Sequence, residues 1–280
     1  MADAAHIAEA VREAIASAAC DLRPDAMAAL ATARDAERSP RGRVVLGQLL
    51  DNARVATADR VPVCQDTGSV WVRIELGEDE SLTGDVQHEI DRAVAAAYHD
   101  ASLRMSLVRD ALFDRQNTGD NTPAFVEVAW RAGSGTTVHV MLKGGGSDNA
   151  SRIEMLTPDE GMDGVERVVL ETVTAKATGA CPPLLVGVGV GATFDKVGSL
   201  AKKALLRPIG TPPDDPRAAA FEAKLLQAIN ATGIGPAGLG GDTTALAVHV
   251  ATAPCHIAAL PVAVNMGCCA IRSATVVLDS

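Results

Sequence analysis

No two cysteines of this chain stand in a close C-x-x-C pair, the spacing by which structural zinc sites usually gather their ligands. Aromatic residues make up only 2% against 48% hydrophobic residues, so the core must be built from Ala, Val, Leu and Ile. No run approaches about 18 uninterrupted apolar residues, which argues against a membrane span. Basic residues are in the minority: 25 Lys and Arg face 35 Asp and Glu, a formal net charge of -10. That balance argues against a non-specific nucleic-acid binder, which needs a basic patch. It does not argue against small anionic substrates, because a local arginine cluster outweighs the global sign. The start, Met1-Ala2-Asp3-Ala4-Ala5-His6, lacks the basic and apolar segments of a secretory signal. Six cysteines without such a signal point to unpaired or metal-bound thiols in a reducing, cytoplasmic compartment.

The 280 residues are enough for a full-sized core. Residues 3–55 read as helices, with Ile7, Val11 and Ile15 at four-residue steps. Val70, Val72, Ile74 and Leu76 alternate with Trp71, Arg73 and Glu75, a half-buried strand. A helix follows over 84–104, with Val86, Ile90 and Val94 on one face. Strands are predicted near 124–131, 136–142, 184–190, 243–251, 257–264 and 274–278, and helices over 161–178, 193–206 and 216–231. The proline-rich loop 210–216 is read as joining two elements of one domain. This irregular alternation favours an α+β fold: helices packed around a mixed, largely antiparallel sheet in a single large domain, 1–280.

Three cysteines sit far apart, each on a loop at the edge of an apolar run: Cys64, Cys181 and Cys268. Three dispersed thiolates converging in space would hold an iron–sulfur cluster with one iron left without a protein ligand, and an open iron is a Lewis acid. The alternative for each alone is a buried cysteine beside an ordinary turn. Cys64 leads into Gln65-Asp66-Thr67-Gly68, and Cys181 precedes Pro182-Pro183, which stiffens the loop. Cys268 and Cys269 are adjacent, so at most one binds the same cluster. Cys20 falls on an amphipathic helix and Cys255 in a turn after Pro254; both read as structural.

The run Lys143-Gly144-Gly145-Gly146-Ser147 lets backbone N–H groups approach an anion, although a flexible turn is the alternative. Arg104 and Arg109 could grip a carboxylate or be solvated surface charges. His256 could move a proton or be a core residue. Two glycine runs, 187–192 and 233–238, imitate a dinucleotide fingerprint. Asp214 lies in a proline-rich loop and Pro236 interrupts the second run, so nicotinamide binding is disfavoured.

Six ordered blocks carry a resemblance over about residues 10–275. They are Cys64-Gln-Asp-Thr-Gly68, Asn117-Thr-Gly-Asp-Asn-Thr-Pro-Ala124, Lys143-Gly-Gly-Gly-Ser147, Ala180-Cys-Pro-Pro183, 233–241 (Gly-Ile-Gly-Pro-x-Gly-Leu-Gly-Gly) and 256–265 (His-Ile-Ala-x-Leu-Pro-Val-Ala-Val-Asn). Together they resemble the alpha chain, or N-terminal domain, of class I iron–sulfur fumarate hydratases and the related L-tartrate dehydratases. The resemblance implies that Cys64, Cys181 and Cys268 ligate a [4Fe–4S] cluster whose fourth iron binds the substrate's hydroxyl and one carboxylate. It implies that Gln65, Asp66, Arg104 and the loop around Gly146 contact a small dicarboxylate, and that Asp66 and His256 are catalytic. Cys268-x-Ala270-x-Arg272 keeps the family's spacing, so the resemblance implies Cys268 over Cys269, which stands where two-subunit members often carry His. The chain ends at 280, where single-chain members continue into a second domain. Activity is therefore expected to need a separate beta chain, in a heterotetramer.

Such chemistry agrees with the parts. Adding water to fumarate needs an aci-carboxylate-like carbanion to be stabilised, and a cation does this electrostatically. Fumarate to (S)-malate is the first reading and L-tartrate dehydration the alternative. A non-catalytic iron–sulfur protein is a third possibility, from a different class.

Overall fold

The computed structural model describes residues 1–278. In chain order these form β1 (Ala2–Asp3), α1 (Ala4–Cys20), α2 (Pro24–Ala36), α3 (Pro40–Asp59), β2 (Ser69–Gly77), β3 (Leu82–Thr83), α4 (Val86–Asp100), β4 (Phe125–Arg131) and β5 (Thr136–Lys143). They continue with α5 (Gly145–Asn149), β6 (Arg152–Leu156), α6 (Gly161–Lys176), β7 (Leu184–Ala192), α7 (Val197–Ala204), α8 (Pro216–Asn230), β8 (Ala245–Cys255), β9 (Leu260–Gly267) and β10 (Ser273–Leu278). The expected α+β class is what the chain adopts: helices pack on mixed sheets, and antiparallel pairings outnumber parallel ones. The strands form two four-stranded sheets and a short parallel pair, β1-β3, in two compact units.

The first unit takes Met1–Arg23, Ala53–Gly145 and the stretch from Arg272 onward. Its sheet runs β10-β5-β2-β4. Val70, Val72, Ile74 and Leu76 of β2 all point to one face and are buried, as period-two alternation requires. Ile7, Val11 and Ile15 of α1 meet that cluster, as do Ile90, Val94 and Tyr98 of α4, at the four-residue step of one helical face. Each such side chain contributes about 1.5–3 kcal/mol when fully buried. The Asp85 carboxylate caps α4 by accepting from the His88 N–H at 3.1 Å. The helix ends at Asp100, four residues before the predicted end, and Arg104 falls in the loop beyond.

The second unit takes Pro24–Asn52 and Gly146–Ile271, with the sheet β6-β9-β7-β8. Val165, Val168, Val169 and Val173 of α6, with Phe221, Leu225 and Ile229 of α8, pack on Val186 and Val188 of β7 and Val262 and Val264 of β9. On the opposite face lies α7. A Cβ at Gly187 would stand 2.2 Å from Ala201 O, and one at Gly189 2.6 Å from Val197 O. The run that imitates a dinucleotide fingerprint is therefore mid-strand, and its glycines let α7 lie directly against β7. The predicted strand starting at 243 extends to Cys255, so Cys255 closes β8 instead of sitting in a turn. Strand β6 was not foreseen. Its five residues alternate, but Ile153 and Met155 are exposed at the sheet edge while Arg152 and Glu154 are half-buried, so the short run shows no apolar core face.

Gly189→Ala is expected to destabilise the protein by about 1–3 kcal/mol, the usual cost of overpacking. Urea unfolding measures it, and an unchanged midpoint would contradict the packing role.

Candidate active site

Cys64-Gln65-Asp66-Thr67-Gly68 leads into β2, and its backbone is tied down from three directions. The Arg272 guanidinium donates to Asp66 O through Nη1. The Tyr98 hydroxyl faces Thr67 O at 3.0 Å and Gly68 O at 2.9 Å. Asn121 Nδ2 donates to Gly68 O at 3.1 Å, while its Oδ1 accepts from the Ser106 N–H at 2.7 Å. Tyr98 and Asn121 are fully buried, so these carbonyls have side-chain donors in place of water. Burial pushes the Tyr98 phenol well above its ordinary pKa and keeps it a neutral donor. Gly68 has φ +81°, and a Cβ there would lie 2.6 Å from Lys143 O, so only glycine lets the loop enter β2.

This frame sets Asp66 at the rim. Its Oδ1 accepts from the Gly68 N–H at 3.1 Å and its Oδ2 from the Gly145 N–H at 2.9 Å. Arg104 Nη2 lies 3.2 Å from Oδ1, with the Arg104 side chain 56% exposed. One edge of a guanidinium therefore holds Asp66 while the rest faces solvent, able to take another carboxylate. The Thr67 hydroxyl donates to Arg104 O at 2.7 Å, fixing the root of that arginine. Exposed Gln65 places its Oε1 3.6 Å from the Cys64 Sγ. Arg109 is exposed and its backbone N–H pairs with Gln116 O.

Cys181, Cys268, Gly146 and His256 belong to the second unit. Cys181 has φ +55°, a left-handed conformation that costs a non-glycine residue about 1–2 kcal/mol and marks a position held for a purpose. The Cys269 N–H donates to Cys181 O at 3.1 Å, so the backbone after Cys268 is fastened to Cys181. Cys268 Sγ lies 3.6 Å from Ala270 O. His256 is exposed in the turn between β8 and β9, not in the core. Its Nδ1 accepts from the Ala258 N–H at 3.1 Å, which leaves the proton of the neutral ring on Nε2. The Gly145–Asn149 stretch is a short helical turn. A Cβ at Gly146 would meet Gly179 O at 2.6 Å.

Sequence reasoning missed Glu37. It is fully buried, and its carboxylate accepts from the backbone N–H groups of Ser39, Asp242 and Thr243 at 2.9–3.1 Å. Those bonds pin the end of the 233–241 glycine run, whose Ala237 N–H donates to Pro182 O at 2.8 Å, beside Cys181. Nothing in the sequence around Glu37 signals this. Tyr98, the chain's one tyrosine, could have been found, since it continues the Val86-Ile90-Val94 stripe.

The donor chemistry fits a thiolate-held cluster. None of the six cysteines forms a disulfide, and Cys64, Cys181 and Cys268 lie outside the core, whereas Cys20 is buried in α1. Soft thiolates at partly exposed loops are the ligands iron–sulfur clusters take. Among the described residues no three His, Cys, Asp or Glu side chains gather closely enough to hold a metal ion. No helix among them is long and apolar enough to cross a membrane.

One loop thus carries a thiol and a carboxylate beside a half-exposed arginine, and the comparisons give the chain a class. The sequence model of the family described as Fumarate hydratase (Fumerase) matches residues 8–277. The chain belongs to that family and is a hydro-lyase. The L(+)-tartrate dehydratase subunit alpha of Escherichia coli O157:H7 is 37% identical over 251 residues, covering 88% of this chain and 82% of that one. The same subunit of E. coli K12 is 36% identical with the same coverage. A Methanocaldococcus jannaschii protein, provisionally given the same name, is 37% identical over 274 residues and 96% of both chains.

Glu37→Ala should destabilise the protein by about 3 kcal/mol, since three amide donors lose a charged acceptor; chemical denaturation measures this. Asp242 predicts a pH dependence. Hydrogen bonds from the Arg38 side chain and backbone hold its carboxyl at about 2. A depressed native pKa adds stability that is present above the unfolded value of about 3.9 and is lost as pH falls towards 2. Asp242→Asn should therefore be less stable than the parent at pH 7, with the gap closing between about pH 4 and 2.

Proposed function

We propose that this chain is the alpha subunit of a [4Fe–4S] hydro-lyase that interconverts fumarate and (S)-malate with a separate beta chain. The observation that supports this reading best is the Asp66 carboxylate, held by the Gly145 and Gly68 amides and shared with the half-exposed Arg104, two residues from Cys64. The whole chain acts as one catalytic domain, in a cytoplasmic heterotetramer whose beta chain supplies the remaining substrate contacts.

Cys64, Cys181 and Cys268 would hold the cluster. When bound, it supplies Lewis-acid polarisation of the substrate's oxygen atoms. Arg104 binds the substrate carboxylate attached to C3 and stabilises the negative charge that delocalises onto it when hydroxide adds at C2. Gln65 and the backbone at Gly146 orient the dicarboxylate. As Arg104 turns to the substrate, it loosens its hold on Asp66 Oδ1, freeing that oxygen to pass the proton at C3. His256, with its Nε2 proton facing outward, is the second proton-carrying group.

A second reading, L-tartrate dehydration, is supported by the names of the E. coli relatives. Both share the elimination of water from a hydroxy-dicarboxylate, and the selecting contacts fall partly on the beta chain.

The pair, purified and reconstituted anaerobically with iron and sulfide, should show a broad visible absorbance shoulder and consume fumarate. Cys64→Ser, Cys181→Ser and Cys268→Ser should each remove the shoulder, and Cys269→Ser should retain it. A cluster persisting in Cys64→Ser refutes the ligand set, and turnover of L-tartrate alone selects the second reading.

A further inference from the structure

Arg272 carries a charge into the interior of the first unit. It is only 4% exposed; among the described residues its Nε has no hydrogen-bond partner, and its one side-chain hydrogen bond goes to the backbone carbonyl of Asp66. Burying a guanidinium for a single carbonyl is costly, so the arrangement calls for a return beyond stability. Position shows what that return is. A Cβ at Gly144 would stand 3.2 Å from Arg272 Nη2 and 3.2 Å from Asp66 Oδ2, so the guanidinium and the carboxylate flank the same bare α-carbon. Arg272 thus grips the main chain of Asp66 and places a positive charge on the side where its carboxylate lies. The backbone role of Arg272 is separate: its carbonyl accepts from the Leu142 N–H at 2.9 Å, a bond any residue would make.

We propose that Arg272 is a positioning residue for Asp66. It fixes the main chain between Cys64 and Gly68 so that Asp66 Oδ1 stays within reach of both Arg104 and the substrate proton. The rigid planar fork suits this task, since it can hold the carbonyl through Nη1 while Nη2 faces Gly144. This role rests on the hydro-lyase reading for its effect on turnover, though not for its effect on the loop.

The test compares Arg272→Gln and Arg272→Lys with the parent, each as the full chain paired with its beta chain. Expected for Arg272→Gln is a kcat on fumarate lower by roughly 10–100-fold, with KM within about threefold, iron content unchanged and the thermal midpoint little moved. Arg272→Lys should recover part of kcat, because an ammonium can still donate to Asp66 O. Hydrogen exchange on the alpha chain reads the clamp directly: amides 65–68 should exchange about tenfold faster in Arg272→Gln, with β2 and β5 unchanged. Parental kcat together with parental exchange at 65–68 overturns the proposal. So does an activity loss that only follows lost iron or a rise in exchange throughout the unit, which would make Arg272 merely structural. If the parent pair turns over neither fumarate nor L-tartrate, the hydro-lyase reading fails, and the exchange result alone still decides whether Arg272 holds Asp66 in place.

Discussion

Backbone carbonyls in a water-free interior need donors, and the loop Asp66–Gly68 presents three in succession. Arg272 from just before the last strand, Tyr98 from α4 and Asn121 from a long loop each answer one or two of them. None of these residues is near the loop in sequence. The loop therefore has its shape only when β10, α4 and the 117–122 segment are all in place, and everything mounted on it inherits that dependence. Asp66 is aimed by it, Arg104 is rooted to it through Thr67, and Cys64 and Gln65 stand at its entrance.

The second unit solves the mirror-image problem. There the orphan groups are amide donors, and one buried carboxylate, Glu37, gathers three of them: Ser39 beside it in the chain, and Asp242 and Thr243 just past the glycine run. The bond from Ala237 to Pro182 carries that order to Cys181. In both units a buried charge is spent on main-chain groups and not on an opposite charge. Charge-assisted hydrogen bonds are stronger than neutral ones and more dependent on geometry. They suit segments that must hold a reactive side chain still while contributing little apolar area of their own.

Much of the fold was legible. Period-two and period-3.6 patterns located the helices of the first 60 residues, β2, β5 and α6, because each buries an apolar face. Its brevity and interspersed charges hid β6, and the glycines of β7 imitated a dinucleotide fingerprint. Such glycines look alike in a sequence whether the approaching group is a pyrophosphate or a helix, and only α7 lying on them shows which it is. The site was legible in part. Ordered motif blocks brought out Cys64, Gln65 and Asp66, the resemblance added Arg104 from another loop, and the structure joins Asp66 and Arg104 in one ion pair. It takes His256 out of the core and gives its ring a defined tautomer.

By itself, the sequence determined the class: an α+β hydro-lyase of the fumarate hydratase family, with aliphatic cores and its chemistry set on loops. Those properties reside in local periodicity and in residue blocks that survive as linear text. Tertiary structure alone decided who holds the loops. Glu37, Tyr98, Asn121 and Arg272 satisfy backbone groups tens to hundreds of residues away. A hydrogen bond requires proximity in space and leaves no period in the chain, so these partners become visible only once the sheets have closed around them.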